Sequence, residues 1–434
     1  MSVQDKYRVL ENAFPEMLEG IGALIQKAKI CNRFESVHLS DQELELLEKA
    51  KELSEVAILE HWDDQSNDFK ALCSTHFDIA SQLPIELDDE YLFYEYIKLI
   101  CCAYLGENWH MARQFIKQKM DELTSIEPNG NWNIRLLQKS FLALIYLIKK
   151  DDWEDVDRAV KTIEELRGEQ EDFETSFLSS KSENSKPLAS AELVSLYHFA
   201  KSVELVGKYV LNGRPTEVET QLNYHLNYSK EDASLSRNVM LELLLQYFEA
   251  LANKLIRNTI WYSTKGINSR ISAFNKHISE KADQGIFELL YPQREAILEE
   301  GLLNPAHNAV VVNLPTSSGK TMIAEYRILM ALNQFAAEGG WVAYVVPTRA
   351  LVNQIYIDLK RDLGPIGVKV EKVSGALDLD GFEEALLEKD LEDPQHPQFD
   401  VLVTTYEKLH LMIRQGYGVQ EQRPLVLAVV DEAH

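Results

Sequence analysis

A chain of 434 residues with 45% hydrophobic content can bury two or three separate cores. Its formal net charge of -25 and pI near 4.9 exclude a protein that coats nucleic acid by bulk attraction, so any nucleic-acid contact has to be confined to a channel. Cys31, Cys73, Cys101 and Cys102 show no CxxC spacing, and no apolar run is long enough for a signal or a membrane span. The expectation is a soluble, cytoplasmic protein with reduced thiols and no membrane partner.

Residues 1–280 read as helical almost throughout, with few Gly and Pro and apolar positions three and four apart, as in Leu44, Leu47, Leu53 and Val56. Leu92–Leu105 and Ile134–Ile148 repeat the pattern, and Leu136, Leu137, Leu142, Ala143, Ile145 and Tyr146 form a wide apolar stripe. A weak internal echo links Cys102-Ala103-Tyr104, followed by Gly106 and Trp109, to Leu144-Ile145-Tyr146, followed by Asp151 and Trp153. An irregular bundle and stacked helical hairpins both remain open. Ser176–Ser190, rich in Ser and carrying Pro187, predicts a mobile loop and an internal break near 176–190. The texture changes after Lys265-Gly266-Ile267-Asn268, which places a domain boundary near residue 280.

Within 281–434, near-continuous apolar runs predict strands at Val310–Val312, Trp341–Val346, Val368–Val373, Asp400–Thr405 and Leu425–Val430. Helices are predicted between them at Lys320–Leu332, Arg349–Leu363, Phe382–Leu391 and Tyr406–Gln415. The fold class is therefore α plus α/β: an all-helical region followed by a doubly wound parallel sheet.

Asn313-Leu314-Pro315-Thr316-Ser317-Ser318-Gly319-Lys320-Thr321 runs directly into a helix, as a phosphate-binding loop does. Backbone N–H groups of Thr316, Ser317, Ser318 and Gly319 would cradle phosphates, Lys320 would reach the β and γ phosphates, and Thr321 would hold Mg²⁺. The strict pattern wants Gly where this chain has Leu314. Further on, the apolar run Val426–Val430 delivers Asp431 and Glu432 at the end of a strand, where ligands of open parallel sheets sit. Asp431 would orient Mg²⁺ and Glu432 would polarise the attacking water of ATP hydrolysis, with Lys320 completing the catalytic set.

The Asp431-Glu432-Ala433-His434 tetrad, with the Pro-Thr-Ser-Ser-Gly-Lys-Thr loop, resembles superfamily 2 DExH helicases of the Ski2-like branch. Tyr291-Pro292-Gln293-Arg294 is similar to the family's Q-motif, which implies that Gln293 reads the adenine edge. Pro347, Thr348 and Arg349 resemble motif Ia, Ser374 and Gly375 motif Ib, and Thr404 and Thr405, with Tyr406-Glu407-Lys408 after them, motif Ic. In the family these hold the backbone of one nucleic-acid strand, and hydroxyls, amides and an Arg at strand ends suit a sequence-blind grip. A long helical region before such a motor also resembles, in general character, the helicase subunit of the Hachiman antiphage defence system.

The resemblance implies an ATP- and Mg²⁺-dependent helicase or translocase on single-stranded or overhanging nucleic acid, with DNA favoured and RNA left open, in DNA processing or antiviral defence. It also implies a second RecA-like domain with arginine fingers. The chain reaches His434 without motif III, so the expectation is a RecA-like domain truncated at the Asp-Glu-Ala-His box that binds nucleotide but hydrolyses it poorly. The helical region is expected to dock a protein partner such as a nuclease. The rival reading is a nucleotide-sensing scaffold. The acidic stretch Asp378–Asp393 reads as a solvated helix.

Overall fold

The computed structural model describes residues 3–32, 38–62, 66–84, 89–125, 131–213, 215–281, 285–314, 319–374, 381–392, 398–417 and 423–432. They divide into two compact units, residues 1–257 and 258–434. Among the described residues no helix is long and apolar enough to cross a membrane.

In the first unit, helices start where side chains satisfy the free amides of a first turn. Ser40 and Glu43 form a reciprocal capping box on Asp41–Glu60, and Asp152 accepts the Asp155 N–H at 2.8 Å to open Trp153–Ser179. Both echoed tryptophans begin helices, Trp109–Ser125 and Trp153–Ser179. Each follows a tight turn with a left-handed residue, Glu107 in one and Lys150 in the other. Helices Asp89–Leu105 and Trp109–Ser125 form one hairpin, Trp132–Lys149 and Trp153–Ser179 a second, and Lys186–Asn212 and Pro215–Ser236 a third. The first helices of successive hairpins also pack on each other, which is the arrangement of stacked helical hairpins. The predicted loop at 176–190 is mostly helix, because Ser176–Ser179 finish one helix and Pro187 sits in the first turn of the next, where a missing N–H is harmless.

Four parallel strands carry the second unit: β1 (Trp341–Val346), β2 (Val370–Val373), β3 (Val401–Thr405) and β4 (Leu425–Val430), in the order β2-β3-β1-β4. Helices Lys320–Gln334 and Arg349–Leu363 cover one face with Ile323, Leu329, Val352 and Leu359, while Leu387 and Met412 pack on the other. This is the doubly wound sheet the apolar runs require. Helix Ser269–Ser279, which the sequence reading assigns to the helical region, packs here instead. Phe274 meets the Tyr326 ring edge-on at 5.4 Å, and the Tyr326 hydroxyl donates to Asn275 Oδ1 at 2.8 Å.

Three strand expectations need correction. Val310–Val312 form no strand, and Val311 is 96% exposed. A strand exists only through its ladder; no described strand offers one to this segment, and β4 is paired on one side only. β2 starts at Val370 and β3 at Val401, a little later than predicted, and just before them Lys369 gives its N–H to the Asp400 carboxylate at 2.8 Å.

Glu325, on the inner face of Lys320–Gln334, is 3% exposed, and among the described residues its Oε1 has no hydrogen-bond partner. Burial, reinforced by Asp362, pushes its carboxyl up to about 8, against the opposite pull of Lys281 and Arg361. The folded value stands above the ordinary 4.5, so the native state keeps a proton that the unfolded chain releases, and this group's stability contribution is lost as pH rises from about 4.5 to 8. Glu325→Gln is expected to gain on the order of 5 kcal/mol over wild type above about pH 8, with the gain vanishing near pH 4.5. Urea denaturation across that range checks it; a pH-independent difference would refute the assignment.

Candidate functional site

The parallel register ends three strands level. Val346 of β1 pairs with Thr405 of β3, and Val345 pairs with Val430 of β4. Each strand therefore releases its next residues onto the same carboxyl edge: Pro347, Thr348 and Arg349 after β1, Tyr406 after β3, Asp431 and Glu432 after β4, and Ser374 after β2.

Asp431 is the most restrained group there. Its N–H extends the ladder to Val345 O at 2.9 Å, its Oδ2 accepts the Tyr344 hydroxyl at 3.0 Å, and its Oδ1 accepts the Glu432 N–H at 3.0 Å. The Tyr406 hydroxyl donates to Asp431 O at 3.1 Å, tying the end of β3 to the end of β4. Burial, then the Asp431 carboxylate, drives the Tyr344 phenol far above its ordinary range, so it stays a proton donor. Glu432 adopts a left-handed backbone (φ 50°), unusual for a non-glycine residue, and its side chain is exposed.

Gly319 caps the helix Lys320–Gln334 at φ 71°, ψ 41°, a conformation that favours glycine. A Cβ there would collide with the Gln293 amide nitrogen. Gln293 is 3% exposed; its Oε1 accepts the Leu290 N–H at 2.8 Å and its Nε2 donates to Gly319 O at 3.1 Å. The side chain expected to read adenine thus pins the loop glycine in this structure. Lys320 is exposed at the helix start with Thr321 half-buried behind it, while Thr316, Ser317 and Ser318 lie outside the described residues. The helix packs on β1 and β4, the strands that set Asp431.

These donors fit Mg²⁺ and a nucleotide. Thr321 and Asp431 offer hard oxygens, and Mg²⁺ commonly takes one or two protein ligands with phosphates and water completing the octahedron. Among the described residues no group of three or more His, Cys, Asp or Glu forms a metal cage. The missing Cβ of Gly319 makes room for the Gln293 amide, which holds the loop at the start of the helix.

The expected nucleic-acid residues divide. Thr348 and Arg349 are exposed, with the Thr348 hydroxyl capping its helix by accepting the Leu351 N–H at 3.3 Å, and Pro347 and Ser374 are half-buried. Thr404 departs from expectation: it is 0% exposed, and among the described residues its hydroxyl has no partner. Thr405 is 6% exposed. Strand side chains alternate between two faces, both covered here, so only residues past the strand reach the edge. Gly375 lies outside the described residues.

The acidic helix Gly381–Glu392 is not simply solvated. Glu383 pairs with Lys408 at 3.1 Å and Asp390 with Arg423 at 3.0 Å, all four side chains being 6% exposed or less. Tyr344 and Glu383 support the carboxyl edge without any role assigned to them from the sequence, whereas Tyr406 and Lys408 fall in the segment matched to motif Ic. Tyr344, a polar-tipped ring in an apolar strand, was the available signal; Glu383 was masked by its charged surroundings.

A DEAD/DEAH box helicase family profile matches residues 291–434. The ATP-dependent DNA helicase Hel308 of Pyrococcus abyssi is 34% identical over 163 residues, 36% of this chain and 20% of that protein. The Hel308 of Methanocella arvoryzae is 37% identical over 154 residues, covering 35% and 18% respectively. Hachiman protein HamB of Bacillus cereus is 30% identical over 167 residues, covering 38% and 14%. The chain spans a fifth or less of the length of these curated relatives.

Gly319→Ala should abolish binding of a fluorescent adenine nucleotide, because the added methyl strains the left-handed cap and displaces Gln293. Tyr344→Phe removes a hydrogen bond to a carboxylate, about 1.5–3 kcal/mol. Its expected signature is a raised Mg²⁺ requirement for nucleotide binding with metal-free binding unchanged, read by the same titration at varied Mg²⁺.

Proposed function

We propose, from a chain whose residues 291–434 form a DEAD/DEAH box helicase domain, that the protein works as an ATP-dependent nucleic-acid helicase or translocase of superfamily 2. The observation that carries the reading is the delivery of Asp431 and Glu432 to the carboxyl edge by β4, beside the helix that starts at Lys320.

In this reading Gly319, Lys320 and the preceding loop residues Thr316, Ser317 and Ser318 hold the phosphates, and Gln293 fixes the loop and meets the adenine. Thr321 and Asp431 would hold Mg²⁺, which when bound supplies charge neutralisation to the phosphates. Tyr344 keeps the Asp431 carboxylate turned. Glu432, exposed on its left-handed turn, positions and polarises the attacking water. Pro347, Thr348, Arg349, Ser374 and the neighbouring Gly375, Thr404 and Thr405 segments line the backbone path, with Thr404 acting through packing.

The likeness to proteins named ATP-dependent DNA helicase favours DNA, and the likeness to Hachiman protein HamB supports antiviral defence as the setting. Stacked helical hairpins give the first unit the extended surface on which a protein partner, such as a nuclease, would dock.

The test is the ATPase rate of the full-length protein with and without single-stranded DNA, single-stranded RNA and overhanging duplexes. Stimulation by single-stranded DNA is expected; a rate indifferent to every nucleic acid would favour the nucleotide-sensing scaffold. Glu432→Gln should keep nucleotide binding while lowering turnover at least about a hundredfold. Retained turnover would remove Glu432 from the role of base.

A further inference from the structure

Glu383 lies in the first turn of Gly381–Glu392, yet it is 4% exposed. Its two oxygens serve different parts of the carboxyl edge. Oε1 accepts the Ser374 N–H at 2.8 Å, and Oε2 accepts Lys408 Nζ at 3.1 Å. Ser374 follows β2, and Lys408 sits in the first turn of the helix Tyr406–Arg414 that follows β3. Lys408 is 2% exposed, so its charge is spent inside the protein.

We propose that Glu383 is a positioning residue for nucleic-acid binding: its carboxylate fixes the spacing between the Ser374 segment and the start of helix Tyr406–Arg414. The inference rests on the helicase reading above and deepens it. Both segments belong to the backbone-holding edge, and a backbone grip works only when its donors match the phosphate spacing. The Ser374 N–H already donates to Glu383, which leaves the hydroxyl for an incoming phosphate. Neither bond is replaceable by water at this depth, so losing the carboxylate frees both segments together.

The same helix supplies a matched control. Asp390 makes an equally buried ion pair, with Arg423, which precedes β4 at the opposite edge of the sheet. A role confined to holding the helix in place would make the two acids equivalent. Fluorescence anisotropy of a labelled oligodeoxythymidine on the 434-residue chain separates them.

Glu383→Gln is expected to weaken DNA binding about tenfold with adenine-nucleotide affinity unchanged, while Asp390→Asn stays within about twofold of wild type. Lys408→Arg, which keeps a cation for Glu383, should bind like wild type, and Lys408→Met should reproduce the loss should Glu383→Gln fail to fold. Equal weakening by Glu383→Gln and Asp390→Asn, or wild-type affinity in Glu383→Gln and Lys408→Met, overturns the inference while leaving the helicase reading intact. Wild-type chain that binds neither oligodeoxythymidine nor oligouridine overturns the nucleic-acid reading itself.

Discussion

β1 is hydrogen-bonded on both sides, to β3 and to β4, in a register that stops the three strands level. The rest of the second unit follows from that. A parallel ladder sends all its carboxyl ends the same way, so residues distant in sequence emerge side by side through the sheet itself. The ladder even outlasts the strand, since the Asp431 N–H still bonds to Val345 O after β4 has ended. The position of the carboxylate is therefore set by backbone pairing in the sheet centre. Tyr344, one residue back on β1 from Val345, adds the orientation.

Much of this was legible because parallel strands covered on both faces leave a blunt signature. The runs Trp341–Val346 and Leu425–Val430 match β1 and β4 as found, and helix Arg349–Leu363 matches at both ends. Val310–Val312 carries the same signature and forms no strand, because composition reports only that a segment suits a ladder, not that a partner is beside it. Thr404 shows the limit for site residues: a Thr at a strand end reads as a surface hydroxyl, yet the alternation of faces turns it inward. Gln293 was expected to read the adenine edge, and its bonds to Leu290 and Gly319 depend on a side-chain path that spacing does not encode.

The charge count carries no information on where the charges sit. A net charge of -25 describes the whole chain, whereas Glu325, Glu383 and Asp390 each lie below 5% exposure. Two of these acids are matched by buried cations and the third is held neutral, so none adds to the field an approaching polyanion meets. Exposed Arg349 stands on the carboxyl edge, where a local positive contact counts for more than the total.

Helix Gly381–Glu392 is fastened near both ends, by Glu383 at one edge of the sheet and by Asp390 at the other. Seven positions separate the two acids, close to two turns, which is why both carboxylates face inward. A single inserted or deleted residue between them would swing one carboxylate by about 100° and carry it off its cation. The segment can accordingly change in composition along its outer face but not in length, and any growth in this part of the chain is confined to the stretches on either side of the helix.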